Sequence, residues 1–483
     1  MRILVSGASG YVGSRLIPRL VACGHEVSCM VRDASRVDPR VAESTRTVVA
    51  DALQPQGMAA ALQGIEVAYY LIHSMSALGG DFQKRDRLAA RNFAVAARQA
   101  GVRRIIYLGG LASETSQISS HLRSRHETGE ALRRFGPPVT EFRAGIIVGN
   151  GSVSFELIRY LTERLPVMIC PRWVITRTQP IAIEDVLDYL VAALESPESA
   201  GQVIEIGGAT IETYRSMMLT YAGARHLRRW LLRVPVLTPR LSSYWLRLVT
   251  PIPTSIARPL IEGLRTEVVC KSTRAAELFP AIRPMGYPAA IERTLNRALP
   301  DDSVRGLPLR PAHIFTRQDG ILCDLRQAVA DAPPNHVFSV IANLGGSNGY
   351  LYANSLWRIR GWLDRCLGGA GMQCNHVSTR LQKNDRIDFW CVQGLESDRR
   401  MLLQAEMKLP GRAWLEFSVS PQPGGRTLVR CCAWFEPRGL LGELYWWVLY
   451  PIHILIFRGL VRAVCRKATS RVAMQPTYTT PHA

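Results

Sequence analysis

The stretch Gly7-Ala8-Ser9-Gly10-Tyr11-Val12-Gly13 follows directly on the apolar run Ile3-Leu4-Val5. Glycines at that spacing suit a loop that grips phosphate. The first permits a tight bend, the second lets backbone approach a pyrophosphate, and the third allows a helix to pack close behind. Arg32 ends the next apolar run, Glu26 to Val31, where an acidic residue would hold a ribose 2′-hydroxyl. An arginine there accommodates a 2′-phosphate and favours NADP(H), with the adjacent Asp33 as the counter-indication. Further on, His121 and Arg125 stand four residues apart, which sets both on one face of a helix. A histidine transfers protons near neutral pH, and a neighbouring arginine depresses its pKa and orients the site. His73 and Ser74 follow the run Val67 to Ile72 and are second candidates, at the sheet edge where ligands bind.

Those residues need elements to hold them. Residues 3 to 5 read as a strand, and the segment from 11 to 23 has helical periodicity through Val12, Leu16, Leu20 and Val21. Strands at Glu26–Val31, Thr47–Asp51, Val67–Ile72 and Arg104–Leu108 follow, with a helix over Phe82–Ala100. Strands separated by helices of this length imply a doubly wound parallel sheet.

At this point the chain resembles the extended, atypical branch of the short-chain dehydrogenase/reductase superfamily. Gly7, Gly10, Gly13, Arg32, Asp51, "YYLIHSM" at 69–75 and "RNFAVAARQAGVRRIIYLGGL" at 91–111 carry the likeness. It covers about residues 1–300 and implies an NADP(H)-binding Rossmann domain with a small substrate lobe. By it the cofactor residues are Gly7, Ser9, Gly10, Tyr11, Val12, Gly13, Arg32, Asp51, Leu71 and His73. Asp51 would lie by the adenine, and Leu71 to Ser74 would line the nicotinamide side. The catalytic serine, tyrosine and lysine of active members are absent as written. The chain reads "YLGGLAS" at the serine's strand and "SSHLRSRHETGEAL" where Tyr-x-x-x-Lys would fall. His121 with Arg125 is a chemically able substitute, and a domain that binds cofactor without turnover is equally open. A related architecture in the accessory dinucleotide-binding subunit of respiratory complex I supports the second possibility.

Around "LPDDSVRGLPLRP" the chain turns polar and proline-rich, so residues 301–331 read as a linker. Beyond it "HVFSVIANL" reads as a strand and "GYLYANSLWRIRGWLDRCL" as a helix with Tyr352, Leu356, Ile359 and Leu363 on one stripe. Four strands follow, "DRIDFWCV", "RMLLQAEM", "AWLEFSVS" and "TLVRCCAWFEP", and their alternation implies an antiparallel sheet buried on one face. "LPGR" and "QPGGR" supply hairpin turns. A long aromatic helix from Leu440 to about Val464 closes the unit. Its longest run without Asp, Glu, Lys or Arg, Leu444 to Phe457, has 14 residues and contains Pro451, a length for a buried or interfacial segment rather than a bilayer span. Residues 332–468 resemble a START-like helix-grip domain, an α+β fold. In "GGSNGYLYANSLWRIRGWLDR", "MKLPGRAWLEF" and "FEPRGLLGELYWWVLYPIHILIFRG" they resemble a domain of unknown function attached to reductases of this type. That likeness implies an apolar cavity for a lipophilic ligand, against the simpler reading that Trp390, Trp414, Trp434, Trp446 and Trp447 fill a core. Residues 469–483 read as a disordered tail.

The chain's 483 residues exceed what one core serves, and a net charge of +20 suits an anionic surface more than one dinucleotide needs. No run of Lys and Arg interleaved with aromatics marks a nucleic-acid groove. Eleven scattered cysteines without Cys-x-x-Cys read as buried thiols in a reducing compartment, with neither a disulfide framework nor a metal site. The expectation is a cytoplasmic protein, with peripheral contact at the inner face of the membrane through its closing helix as the alternative. It reads as a reductase of an apolar carbonyl, quinone or enone, or else as a non-catalytic NADP(H) sensor or scaffold with membrane or protein partners. The sequence leaves the oligomeric state open.

Overall fold

The computed structural model describes the whole chain except residues 38, 74–81, 112–118, 234–249, 251–262, 265, 297–312, 319, 370, 373–380 and 474–483. Ser74 and most of the expected tail lie outside the described residues. The chain folds as two compact units, Met1–Ala298 and Leu299–Ala483.

In the first unit the strands are β1 (Arg2–Ser6), β2 (Glu26–Val31), β3 (Arg46–Val49), β4 (Val67–Tyr70), β5 (Arg104–Gly110), β6 (Val139–Ala144) and β7 (Val203–Ile206). They form one parallel sheet in the order β7-β6-β5-β4-β1-β2-β3. The order reverses beside β1, which is where an open sheet of this kind leaves a crevice at its carboxyl edge. Ile3 and Val5 face one core and Leu4 the other, so β1 is apolar on both sides, as a parallel strand covered by helices must be. The helices that matter for the site are α1 (Gly13–Ala22), α2 (Phe82–Gln99), α3 (Ser120–Phe135), α4 (Val153–Arg164), α5 (Ile183–Ala192) and α6 (Tyr214–Ala224). Phe155 and Ile158 of α4 and Met217 and Tyr221 of α6 build a separate small core, the lobe beyond the sheet.

The second unit contains β8 (His313–Gln318), β9 (Ile321–Ala330), α7 (Pro334–Ala342), α8 (Asn354–Cys366), β10 (Arg386–Ile387), β11 (Trp390–Glu396), β12 (Arg400–Ala405), β13 (Gly411–Gln422), β14 (Arg426–Pro437) and α9 (Gly439–Ala473). Its strands make an antiparallel sheet in the order β8-β9-β14-β13-β12-β11-β10. One face packs on α7 and α9 through Val337, Ile341, Leu460, Val461 and Val464. The other carries the buried ion pair of Arg400 with Glu416 at 2.6 Å, while Arg326 and Asp324, paired at 2.9 Å, share the helix-covered face with Leu322. Among the described residues one helix, within α9, is long and apolar enough to cross a membrane, and 39% of its most apolar window is buried inside the protein.

Several expectations need correction. The segment 313–330 is not linker: it forms β8 and β9, whose alternation was hidden by the proline-rich stretch before it. "HVFSVIANL" lies largely in helix α7, because Pro334 starts it and Val337, Phe338, Val340 and Ile341 bury one side at helical spacing. "DRIDFWCV" is cut by Asp388, whose φ of +55° ends β10 while its carboxylate accepts from Gly346 N and the Tyr350 hydroxyl. In α8 the buried face is Trp357, Gly361 and Asp364, while Ile359 and Leu363 are exposed. Residues 469–473 continue α9 rather than opening a tail. Trp447 is half exposed and is not core. Cys323 and Cys432, on neighbouring strands β9 and β14, are joined as a disulfide, a pairing that a separation of 109 residues does not signal.

Candidate functional site

The glycine-rich loop is tight enough at Gly7 and Gly13 to admit only glycine there. Gly7 has a φ of +73°, and a Cβ there would stand 2.6 Å from the Leu71 carbonyl oxygen. A Cβ on Gly13 would stand 2.4 Å from the Gly7 oxygen. The loop therefore lies flat against β4 and feeds straight into α1, bringing the helix N-terminus to the crevice, an arrangement that favours phosphate. Arg15 fastens the turn from behind, donating to the Tyr11 carbonyl at 3.0 Å and the Asn150 carbonyl at 2.8 Å while covering the Tyr11 ring.

All ten residues expected to hold cofactor, Gly7, Ser9, Gly10, Tyr11, Val12, Gly13, Arg32, Asp51, Leu71 and His73, line this one cleft. Arg32 is exposed at its edge. Asp33 is turned away: its carboxylate caps the following turn, accepting from Ser35 N at 3.0 Å and Ser35 Oγ at 2.8 Å. Asp51 accepts from Leu53 N at 3.0 Å. Arg85, in the first turn of α2, also lines the cleft and was missed in the sequence; its only signal was a cation placed just after the segment following β4. A long cleft with a glycine floor, a carboxylate along it and cations at its rim fits a dinucleotide.

Beside the cleft lies a second, mostly apolar cavity of about 220 Å³. The two share Val12, Leu108, Arg125 and Ile147, so they adjoin. Leu157 and Ile158 of α4 and Tyr214 and Met218 of α6 close the far side. His121, Leu122 and Arg125 enter from α3, whose position follows from Gly110: a Cβ there would meet Leu122 at 2.8 Å. Glycine at this position thus lets α3 sit against β5. Tyr107 holds the helix by donating to the Arg125 carbonyl at 2.9 Å, and Gln83 of α2 donates to the Ser120 carbonyl at 2.9 Å. The segment 112–118 lies outside the described residues.

The structure brings His121 and His73 together, their ring centroids 4.9 Å apart. Asp86 of α2, which sequence reasoning missed, accepts from Ser124 Oγ at 3.1 Å and stands 3.7 Å from His73 Nδ1, beyond hydrogen-bond length. Burial is the main cause of depressed basicity in both rings, with Arg125 adding to it. His73 falls to about 4 and His121 to about 3. Both are neutral at physiological pH; Arg125 lowers His121 in the direction expected of that pair, with burial the larger cause. Among the described residues, His73 Nε2 and His121 Nδ1 are buried without a hydrogen-bond partner. Buried polar atoms are rarely left so, which points to a polar group arriving with a ligand.

Comparison with known proteins agrees with this geometry. Residues 7–135 match a family described as NAD(P)H-binding, and residues 318–460 match one described as "Protein of unknown function (DUF2867)". A 3-diazoavenalumate denitrifying reductase from Streptomyces sp. is 39% identical over 115 residues, 22% of this chain and 36% of that protein. The chain therefore spans about a third of that curated relative. The fold is similar to that of the triphenylmethane reductase of Citrobacter sp., at 17% identity and a TM-score of 0.51 over 62% of this chain and all of that one. It is also similar to an NADPH-dependent quinone oxidoreductase of Escherichia coli solved with NADPH, at 19% identity and a TM-score of 0.50 over 61% of this chain and all of that one. The first unit is an NAD(P)H-binding Rossmann domain.

Proposed function

We propose that this NAD(P)H-binding protein is an NADP(H)-dependent reductase of an apolar carbonyl, quinone or enone, without the serine, tyrosine and lysine of related enzymes. One observation carries the reading: Arg125 forms a common wall between the cofactor cleft and an apolar cavity, beside two neutral, unpartnered imidazoles. The preference for the phosphorylated cofactor rests on Arg32 at the cleft edge and on Asp33 being engaged elsewhere. The bound nicotinamide supplies a hydride.

The chain's own residues position the acceptor and meet the charge that develops on it. Leu108, Ile147, Leu157 and Met218 exclude water from the cavity. Water exclusion strengthens every charge inside. A substrate oxygen placed at the common wall accepts from the Arg125 guanidinium and from an N–H of His121 or His73. Such donors stabilise developing oxyanion charge, each worth roughly a hundredfold in rate. Because His121 is neutral, it acts as a donor rather than as a strong acid. This suits quinones and enones, whose reduced anions are stabilised by delocalisation and take a proton from water afterwards. In the same reading the second unit is a helix-grip domain whose sheet and closing helix enclose an apolar cavity that helps capture the substrate.

The test is NADPH oxidation by purified full-length protein against a panel of quinones and enones. Arg125→Gln should lower kcat about a hundredfold with little change in NADPH affinity, and His121→Ala should abolish most turnover while still binding cofactor. Wild-type rates in the His121 variant would remove that residue from the mechanism. No acceptor-dependent oxidation in the unaltered protein would favour a non-catalytic NADP(H) sensor or scaffold.

A further inference from the structure

The second unit has a cavity of its own, lined entirely by residues from α8, from the segment through Met407 and Leu409, from the sheet and from α9. Its volume is about 190 Å³, room for roughly six waters and hence for a medium-length chain or a bicyclic ring. Trp357, Phe435, Trp446 and Phe457 make its walls aromatic. Three further lining residues, Ile359, Leu363 and Ile452, are 52%, 43% and 43% exposed, so the cavity opens to the surface through an apolar rim.

The unpartnered polar groups inside it are an indole N–H, a guanidinium N–H and a neutral imidazole, which has one donor and one acceptor nitrogen. Trp446 is 2% exposed, and its Nε1–H has no partner among the described residues. The His453 ring stands edge to face with Trp446 at 5.0 Å, and its Nδ1 is also buried and unpartnered. Arg360, one helical turn before Asp364, supports the Tyr445 hydroxyl but leaves Nη2 buried without a partner. Among the described residues, no Asp or Glu lines it. Asp364 accepts from the amides of Gly371 at 3.0 Å and Lys408 at 2.7 Å. A guanidinium near an indole N–H and an imidazole, with no facing carboxylate in the cavity wall, is an arrangement that lacks its anion.

We propose that this cavity binds an apolar molecule ending in a carboxylate, its tail among the tryptophans and its head on Arg360, His453 and Trp446. The site lies wholly within the second unit, and its ligand need not be the substrate of the first. Binding is therefore measured without turnover, so a negative result leaves the reductase reading standing.

The experiment is calorimetric titration of full-length protein with decanoate and, separately, with 1-decanol, both below the concentrations at which they aggregate. Decanoate should bind saturably and more tightly than the alcohol. Arg360→Gln should weaken decanoate by roughly tenfold to a hundredfold, the range for a charge-assisted hydrogen bond. The same change should move decanol by much less. His453→Gln is the second variant, should the arginine change disturb folding by circular dichroism, and should weaken decanoate in the same sense. No saturable binding, decanoate affinity untouched by either substitution, or equal losses for acid and alcohol would each overturn the proposal.

Discussion

The two cavities are built from the same parts and differ in what stands next to them. Each is mostly apolar, and each has an arginine from a helix with a neighbouring buried histidine: Arg125 with His121 and His73 in the first unit, Arg360 with His453 in the second. In both, burial is the main cause holding the imidazole neutral. Only the first shares a wall with a glycine-floored cleft that takes a dinucleotide. A donor cluster in an apolar pocket binds an oxygen-bearing group; adjacency to a hydride source makes the same cluster a candidate for chemistry. The lesson is that the side-chain set alone does not separate a reductase site from a binding site.

The comparison breaks most sharply at Gly13. A valine there has its Cβ 2.4 Å from the Gly7 carbonyl oxygen, and since that atom is backbone the loop itself must move. NADPH affinity should fall at least about a hundredfold, the scale of losing the phosphate cradle. Decanoate titration should be unchanged, because the second cavity shares no residue with the loop. Fluorescence titration with NADPH and calorimetry with decanoate read the two sides separately. Normal NADPH binding in the valine variant would refute the assignment of the loop.

Arg32 gives a smaller effect within the first unit. Removing a guanidinium from a 2′-phosphate costs about 1.5–3 kcal/mol, so Arg32→Ala should weaken NADPH by roughly tenfold to a hundredfold and leave NADH nearly unchanged. Equal losses for both cofactors would show that Arg32 does not read the phosphate.

Much of this geometry was legible in the sequence, and the reasons differ by region. The glycine spacing, the double-sided apolar β1 and the strand-end Arg32 are local signals, and the residues read from them or from the family likeness line one cleft. The pairing of His73 with His121 was not legible, since the two come from different elements 48 positions apart and meet only when α3 packs on Gly110. Asp86 carries no local signal that sets it apart from the other charges of α2, yet it is 4% exposed. In the second unit, aromatic and β-branched residues made α7 look like a strand, and its buried pattern became helical only once Pro334 is taken as the start. β8 and β9 were lost to the polar stretch before them, where turn-forming residues outweighed a short alternating run.

The smallest effect tests where the two cavities should agree. His73 in the first unit and His453 in the second both have pKa values lowered from 6.5 to about 4, with burial as the leading cause and a nearby arginine second. In the unfolded chain each ring takes a proton near pH 6.5; in the folded chain it does so only near pH 4. The unfolded state therefore binds more protons between those values, and the folded state loses stability as pH falls through that window. Above pH 6.5 the contribution is fully present. A shift of this size corresponds to about 3 kcal/mol per ring, as an order of magnitude. Urea unfolding followed by circular dichroism at pH 7.5 and pH 5.0 should show the full-length protein weakening in acid. His73→Gln and His453→Gln should each remove part of that loss, because a glutamine does not titrate. If only one variant flattens the dependence, the other ring is more hydrated than its packing implies, and the likeness between the two cavities ends at their residue types.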